Sequence, residues 1–105
     1  MNETEFAALA DKMLARIEHA LEASGADLDI ELAAGGVLEI EFADGSKIIV
    51  NKHGIAREIW VAARAGGFHF RYDGSAWRDT RDGEDLLAKL SRLAAEQAGE
   101  PVPLA

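Results

Sequence analysis

A run of carboxylates is the chemically loudest feature of this chain. Asp11, Glu18 and Glu22 recur at i, i+7 and i+11, which on a helix places them in one narrow stripe. Asp27, Asp29 and Glu31 alternate with apolar residues soon afterwards, so on a strand they line one face at roughly 7 Å intervals. If that strand is a sheet edge beside the helix, the two rows join into a ridge. Like charges packed this way repel one another, and a bound cation or a basic partner removes that cost. The donors are oxygens, with His19 one possible nitrogen neighbour, so the set suits hard divalent cations that keep several waters. It does not by itself select iron over manganese, magnesium or calcium, and no calcium-loop spacing is present. A solvated face that keeps an exposed edge from aggregating explains the same residues without any ligand.

The second group is aromatic. In EIWVA, Ile59 and Val61 share one strand face and Trp60 takes the other; in GFHFRY, Phe68, Phe70 and Tyr72 share a face opposite His69 and Arg71. With the aliphatic face turned to a core, Trp60 looks outward among Asn51, His69, Arg71 and Lys47. Aromatic residues and Arg dominate interface hot spots, which makes Trp60 a contact anchor. The competing reading has a neighbouring side chain cover the indole, which then only stiffens the sheet. Trp77, near the end of the sheet, is expected in the core.

Two helices and a run of strands must position these groups. Phe6, Leu9, Ala10, Met13, Ile17 and Leu21 recur at helical spacing over roughly 20 residues, with Asn2 and Glu5 as a capping box and Ser24-Gly25 as the stop. Leu86, Leu87, Leu90, Leu93 and Ala94 repeat the pattern, with Asp82 as the N-cap, Asp85 three residues on and Gly99 as the stop. Between them DLDIEL, VLEIEF, SKIIVN, EIWVA and GFHFRY alternate with period two, and a short strand is expected at Ala76 to Arg78. Gly35-Gly36, Asp44-Gly45, Gly66-Gly67 and Asp73-Gly74 mark tight turns, Asp44-Gly45 as a two-residue hairpin. No helix separates successive strands, so the sheet is an antiparallel meander. The predicted fold is α+β: a two-layer sandwich of about six strands with the N- and C-terminal helices on one face and the other face in water. The tail EPVPLA is extended, with Val102 and Leu104 free to cover a helix seam.

Composition removes several classes of function. No cysteine is present among the 105 residues, so disulfides, thiolate metal sites and cysteine nucleophiles are out, and the usage suits a reducing compartment. Nineteen acidic against eleven basic residues give a formal net charge of -8, which disfavours nucleic acid and anionic membrane and favours cations and basic protein patches. The start carries neither a signal-peptide pattern nor a membrane span, and a cytoplasmic protein is expected. No GxSxG, HExxH or phosphate-cradling glycine loop occurs. Ser46, Ser75 and Ser91 have no acid-base partner in view, and His53 in KHGIAR reads as a solvated side chain. No residue is assigned a catalytic role, and an enzyme is not expected.

The order of helix, acidic strand, GGVLEIEF, DGSKIIVNK, EIWVA, GGFHFRYDG, Trp77 and closing helix resembles the frataxin family, and its bacterial branch in particular, over essentially the whole chain as one domain of residues 1–105. The resemblance implies the same sandwich, weak binding of ferrous and ferric iron at the acidic ridge, and a part in iron-sulfur cluster assembly. That part is docking on the cysteine desulfurase, with the scaffold protein a further possible partner, as iron donor, as regulator, or as both. By position the ridge is Glu18, Glu22, Asp27, Asp29 and Glu31, with Asp11 and Glu3 as outlying members. Trp60 and Asn51 match the partner-facing tryptophan and asparagine, and Glu18 and Glu22 would contact the same partner. A monomer is expected without metal. Alternatives are a ferroxidase or iron-storage oligomer, suggested for parts of the family, and an acidic interaction domain that never meets metal. Where close relatives carry nearly continuous acids at the end of the first helix, this chain has His19, Ala20, Ala23, Ser24 and Ala26, and Gly54 stands where a proline is common.

Overall fold

Asn2 opens the first helix as expected. Its side chain accepts from the Glu5 backbone N–H at 2.8 Å while the Glu5 carboxylate accepts from the Asn2 N–H at 3.2 Å, so two of the otherwise orphaned amides at the helix start are satisfied. Helix α1 then runs Glu3–Ala23 and buries Phe6, Ala10, Leu14, Ile17 and Leu21. The computed structural model, which describes residues 1–104, continues through β1 (Leu28–Ala33), β2 (Val37–Phe42), β3 (Lys47–His53), β4 (Glu58–Ala63), β5 (Gly66–Tyr72), β6 (Trp77–Asp79) and α2 (Leu86–Ala98).

The strands form one sheet in the order β1-β2-β3-β4-β5-β6, each antiparallel to the next. Period-two alternation decides the faces. Leu38, Ile40, Phe42, Ile48, Val50, Ile59, Val61 and Phe70 are all buried beneath the two helices, and their neighbours in sequence occupy the open face. Trp77 is 2 % exposed and meets Phe6 edge to face at 6.0 Å, a favoured aromatic geometry. Val102 and Leu104 are also buried, and the Ser91 hydroxyl donates to the Val102 carbonyl at 2.6 Å, which seats the tail on α2.

Four local expectations differ from what is observed. The N-cap of α2 is Asp85, whose Oδ2 accepts from Leu87 and Ala88; Asp82 is taken instead by the Lys89 ammonium at 2.7 Å and by the Glu84 amide. Between β2 and β3 the loop spans residues 43–46, because the Asp44 carboxylate accepts from both the amide and the hydroxyl of Ser46. The β4–β5 turn is Arg64-Ala65, and Gly66, at φ 146°, already opens β5. The last strand begins at Trp77, one residue later than predicted.

Candidate acidic and aromatic surface

The hairpin β1–β2 builds the acidic half of the site. Strand β1 is an edge, and its register sets Asp29 opposite Glu41 and Glu31 opposite Glu39. All four belong to the face away from the helices, where directly opposed side chains lie about 4.5–5.5 Å apart at Cβ, and they line a common hollow. Like charges opposed in this way destabilise the hairpin. Among the described residues one cation relieves them: Lys47 on β3 pairs with Glu39 at 2.7 Å. Its ammonium is held above the ordinary lysine value, first by the Glu39 hydrogen bond and charge, then by Glu41 and Glu31.

The remaining acids fall around this group. Asp27 is exposed just before β1, and near the end of α1, the helix that flanks β1, Glu22 is exposed and Glu18 half-buried. Among the described residues none of Glu18, Glu22, Asp27, Asp29 and Glu31 enters an ion pair. The helix acids and the strand acids therefore lie on the two sides of one edge strand, with the sheet-face row extended by Glu39 and Glu41. Those two glutamates were legible only as polar residues of β2; pairing across the short Gly35-Gly36 connection would have found them.

The two outlying members, Asp11 and Glu3, stand apart from this group. Asp11 is bound to Lys52 at 2.7 Å, and the Lys52 chain lies over Gly36, whose φ of +79° favours glycine and where a Cβ would push the Lys52 chain aside. Asp11 is thus paired within the chain. Glu3 begins α1 and lines a hollow with Lys52, His53 and Arg57; at 1.5 Å rise per residue it stands roughly 20 Å along the axis from Glu18. No group of three or more His, Asp or Glu able to hold one metal ion occurs among the described residues.

The aromatic half lies across β3, β4 and β5. Asn51, Trp60 and His69 are register neighbours on the open face, and Arg71 and Glu58 lie beside them. Trp60 is half-buried because both ring faces are covered: His53 stacks on one at 3.9 Å and His69 on the other at 4.4 Å. Covering by neighbours, the competing reading for the indole, is therefore what occurs, although its edge remains on the open face. His53 is no free loop side chain. It ends β3, and its Nδ1 accepts from the Ala56 amide at 3.2 Å. Beneath the stack Glu58, buried, accepts from the Trp60 indole at 2.8 Å and from Arg71 at 2.6 Å. The β3–β4 loop then carries Ile55, 93 % exposed, beyond the stack.

The fold is an α+β sandwich: two helices on a six-stranded antiparallel meander with an acidic edge and an aromatic open face. The family model for a frataxin-like domain matches residues 1–100. The iron-sulfur cluster assembly protein CyaY of Dechloromonas aromatica is 70% identical over 104 residues, covering 99% of both chains. That of Cupriavidus taiwanensis is 56% identical, covering 94% of this chain and 92% of its own. Frataxin from Psychromonas ingrahamii superposes with a TM-score of 0.92 at 35% identity, over 100% of this chain and 99% of its own. A trimeric frataxin from Saccharomyces cerevisiae complexed with ferrous iron gives 0.68 at 24% identity, over 91% and 87%, a likeness of fold. The chain belongs to the frataxin family.

Proposed function

We propose that this protein is a non-catalytic accessory factor of iron-sulfur cluster assembly that docks on the cysteine desulfurase and binds ferrous and ferric iron weakly. The observation that carries the reading is the opposed pair of carboxylate pairs, Asp29/Glu41 and Glu31/Glu39, relieved among the described residues by Lys47 alone. A chain that bears a repulsive group of this kind on a sheet edge gains stability when something positive arrives. The carboxylates form no cage, so a hard cation would be held by one or two of them with waters completing its shell. Iron is then cargo or signal, acting as donated metal or as regulator. A basic groove on the desulfurase would meet Glu18 and Glu22 on the helix side and Asp29 and Glu31 on the sheet side. The edge of the Trp60 stack and Asn51 would extend the contact across the open face. The family's named role in its close relatives supports the same reading.

The test is an anaerobic ferrous titration followed by amide shifts, together with desulfurase binding to two charge-reversed variants. Shifts should centre on residues 18–41, and both Glu18→Lys/Glu22→Lys and Asp29→Lys/Glu31→Lys should lose docking by tenfold or more, on the order of 1.4 kcal/mol. Normal docking by both variants overturns the electrostatic reading. Ferrous oxidation with turnover above buffer would instead favour a ferroxidase or storage role, and docking without any iron response would favour an acidic interaction domain.

A further inference from the structure

In a chain with nineteen acidic and eleven basic residues, a cation that lacks a carboxylate partner is unexpected. Most of the lysines and arginines meet one at 2.6 to 3.3 Å. Among the described residues Lys12, Arg16, Arg57 and Arg81 do not. Arg57 donates to the Gly54 carbonyl, and Arg81 stands alone in the loop before α2. Lys12 and Arg16 differ from both because they come as a pair one helical turn apart on α1.

Nothing local neutralises them. Ala8, Leu9 and Ala15 surround Lys12 at helical spacing, and Met13, His19 and Ala20 surround Arg16, so neither has a carboxylate three or four positions away. Like charges at i, i+4 destabilise a helix. The acids Asp11, Glu18 and Glu22 lie on the other flank of α1, toward β1; Glu5, which shares the stripe of Lys12 and Arg16 at i, i+7 and i+11, stands two turns away and is bonded to the Asn2 amide.

The side of Lys12 and Arg16 opens on a cleft of about 210 Å³ between α1, the β5–β6 hairpin and the start of α2. Leu9, Met13, Tyr72 and Ala76 give it apolar and aromatic walls over Trp77, and Lys12 and Arg16 stand among them. Ser75 adds a hydroxyl. Among the described residues the one carboxylate on its lining is Asp85, whose Oδ2 accepts from the Leu87 and Ala88 amides at the start of α2, where the helix dipole offsets part of its charge.

We propose that this cleft binds a phosphomonoester carried on a small apolar or aromatic body. Two full positive charges match a dianion, and a guanidinium beside an ammonium can grip phosphate oxygens by a fork and a point charge. The apolar walls take the body. Because the cleft lies across α1 from the acidic edge, its occupant and a cation at that edge bind independently.

The test uses phenyl phosphate and inorganic phosphate as probes, titrated at low salt into iron-free protein while amide shifts are followed. The variants are Lys12→Gln/Arg16→Gln, on exposed helical positions where Gln keeps helix propensity, and Arg57→Gln/Arg81→Gln, which removes the same two charges elsewhere, as control. Phenyl phosphate should shift residues 9–16 and 72–77 saturably, and the Lys12→Gln/Arg16→Gln variant, with unchanged amide dispersion, should bind about tenfold or more weaker through loss of two charge-assisted contacts. The control variant should bind as wild type. Equal binding by wild type and Lys12→Gln/Arg16→Gln overturns the proposal, as do shifts near Arg57 and Arg81 as large as those in the cleft. Inorganic phosphate binding as tightly as phenyl phosphate overturns the part that assigns an apolar body.

Discussion

At Glu58 a single buried carboxylate holds the surface that the sequence offered as a lone tryptophan. It accepts from the indole and from Arg71, and it lies 3.7 Å from the His69 ring. Glu58→Ala leaves the indole N–H without its acceptor and should cost about 1–3 kcal/mol in urea unfolding; Glu58→Gln, which keeps an acceptor oxygen, should cost less. A second buried charge works elsewhere. Lys89, 3 % exposed, bridges Asp79 at 2.6 Å and Asp82 at 2.7 Å. Burial pushes the Asp79 carboxyl up, but the Lys89 hydrogen bond, the Arg81 amide and the Lys89 charge outweigh it and hold it below 3.8. Burial likewise pulls Lys89 down, and its two aspartates hold it above 10.5. Stability from the lowered carboxyls is complete above their unfolded value and is lost as pH falls through the folded one. Stability from the raised lysine is complete below 10.5 and is lost as pH rises through its folded value. Lys89→Met should therefore cost about 3–5 kcal/mol at neutral pH, since it strands Asp79, and should flatten both the acid and the alkaline limbs of a stability–pH profile. At this scale the sequence showed residue types but not partners. Lys52 and Asp11 are 41 positions apart, and nothing in periodicity joins them.

Elements were the most legible level. Period-two runs such as VLEIEF assign every β2 side chain to its correct face, because a one-residue slip would expose the whole apolar set. Boundaries were less legible, since carboxylates compete for the same orphaned amides. Asp82 and Asp85 both suit a helix start; Lys89 takes the first and leaves the second to cap α2. Asp85→Ala should thus lower stability by about 1 kcal/mol with loss of α2 amide protection, whereas Asp82→Ala should leave that protection in place. Asp44-Gly45 predicts a two-residue turn, and the side-chain bonds of Asp44 to Ser46 draw four residues into it. The Gln97 side chain adds a tie between layers that no pattern announces: it donates to the Ser46 hydroxyl and the Lys47 carbonyl and accepts from the Arg64 amide, so α2 holds two hairpin loops at once.

For the whole molecule charge dominates. A formal -8 with an acidic group gathered at one sheet edge destabilises the compact state through self-repulsion. Raising sodium chloride from about 0.01 to 0.15 M shortens the Debye length from about 30 to 8 Å. It should raise the melting temperature of the free protein while weakening its docking on a basic partner. A melting temperature that falls with salt would mean that internal ion pairs outweigh the repulsion. Net charge and the acidic stripe were legible from composition alone; the Lys12 and Arg16 pair on α1 needed the cleft beside β5 and β6 to acquire meaning.

The uninterrupted meander has a kinetic consequence. Each strand finds its partner in the segment just before or after it, so the closures that assemble the sheet are short and entropically cheap. The distant encounter is that of the opening helix with the far end of the sheet, where Phe6 meets Trp77. That meeting is the step expected to set the barrier, so replacing Phe6 by Leu should slow refolding, and a change inside the β1–β2 hairpin, which closes before it, should also slow refolding with little effect on the unfolding rate.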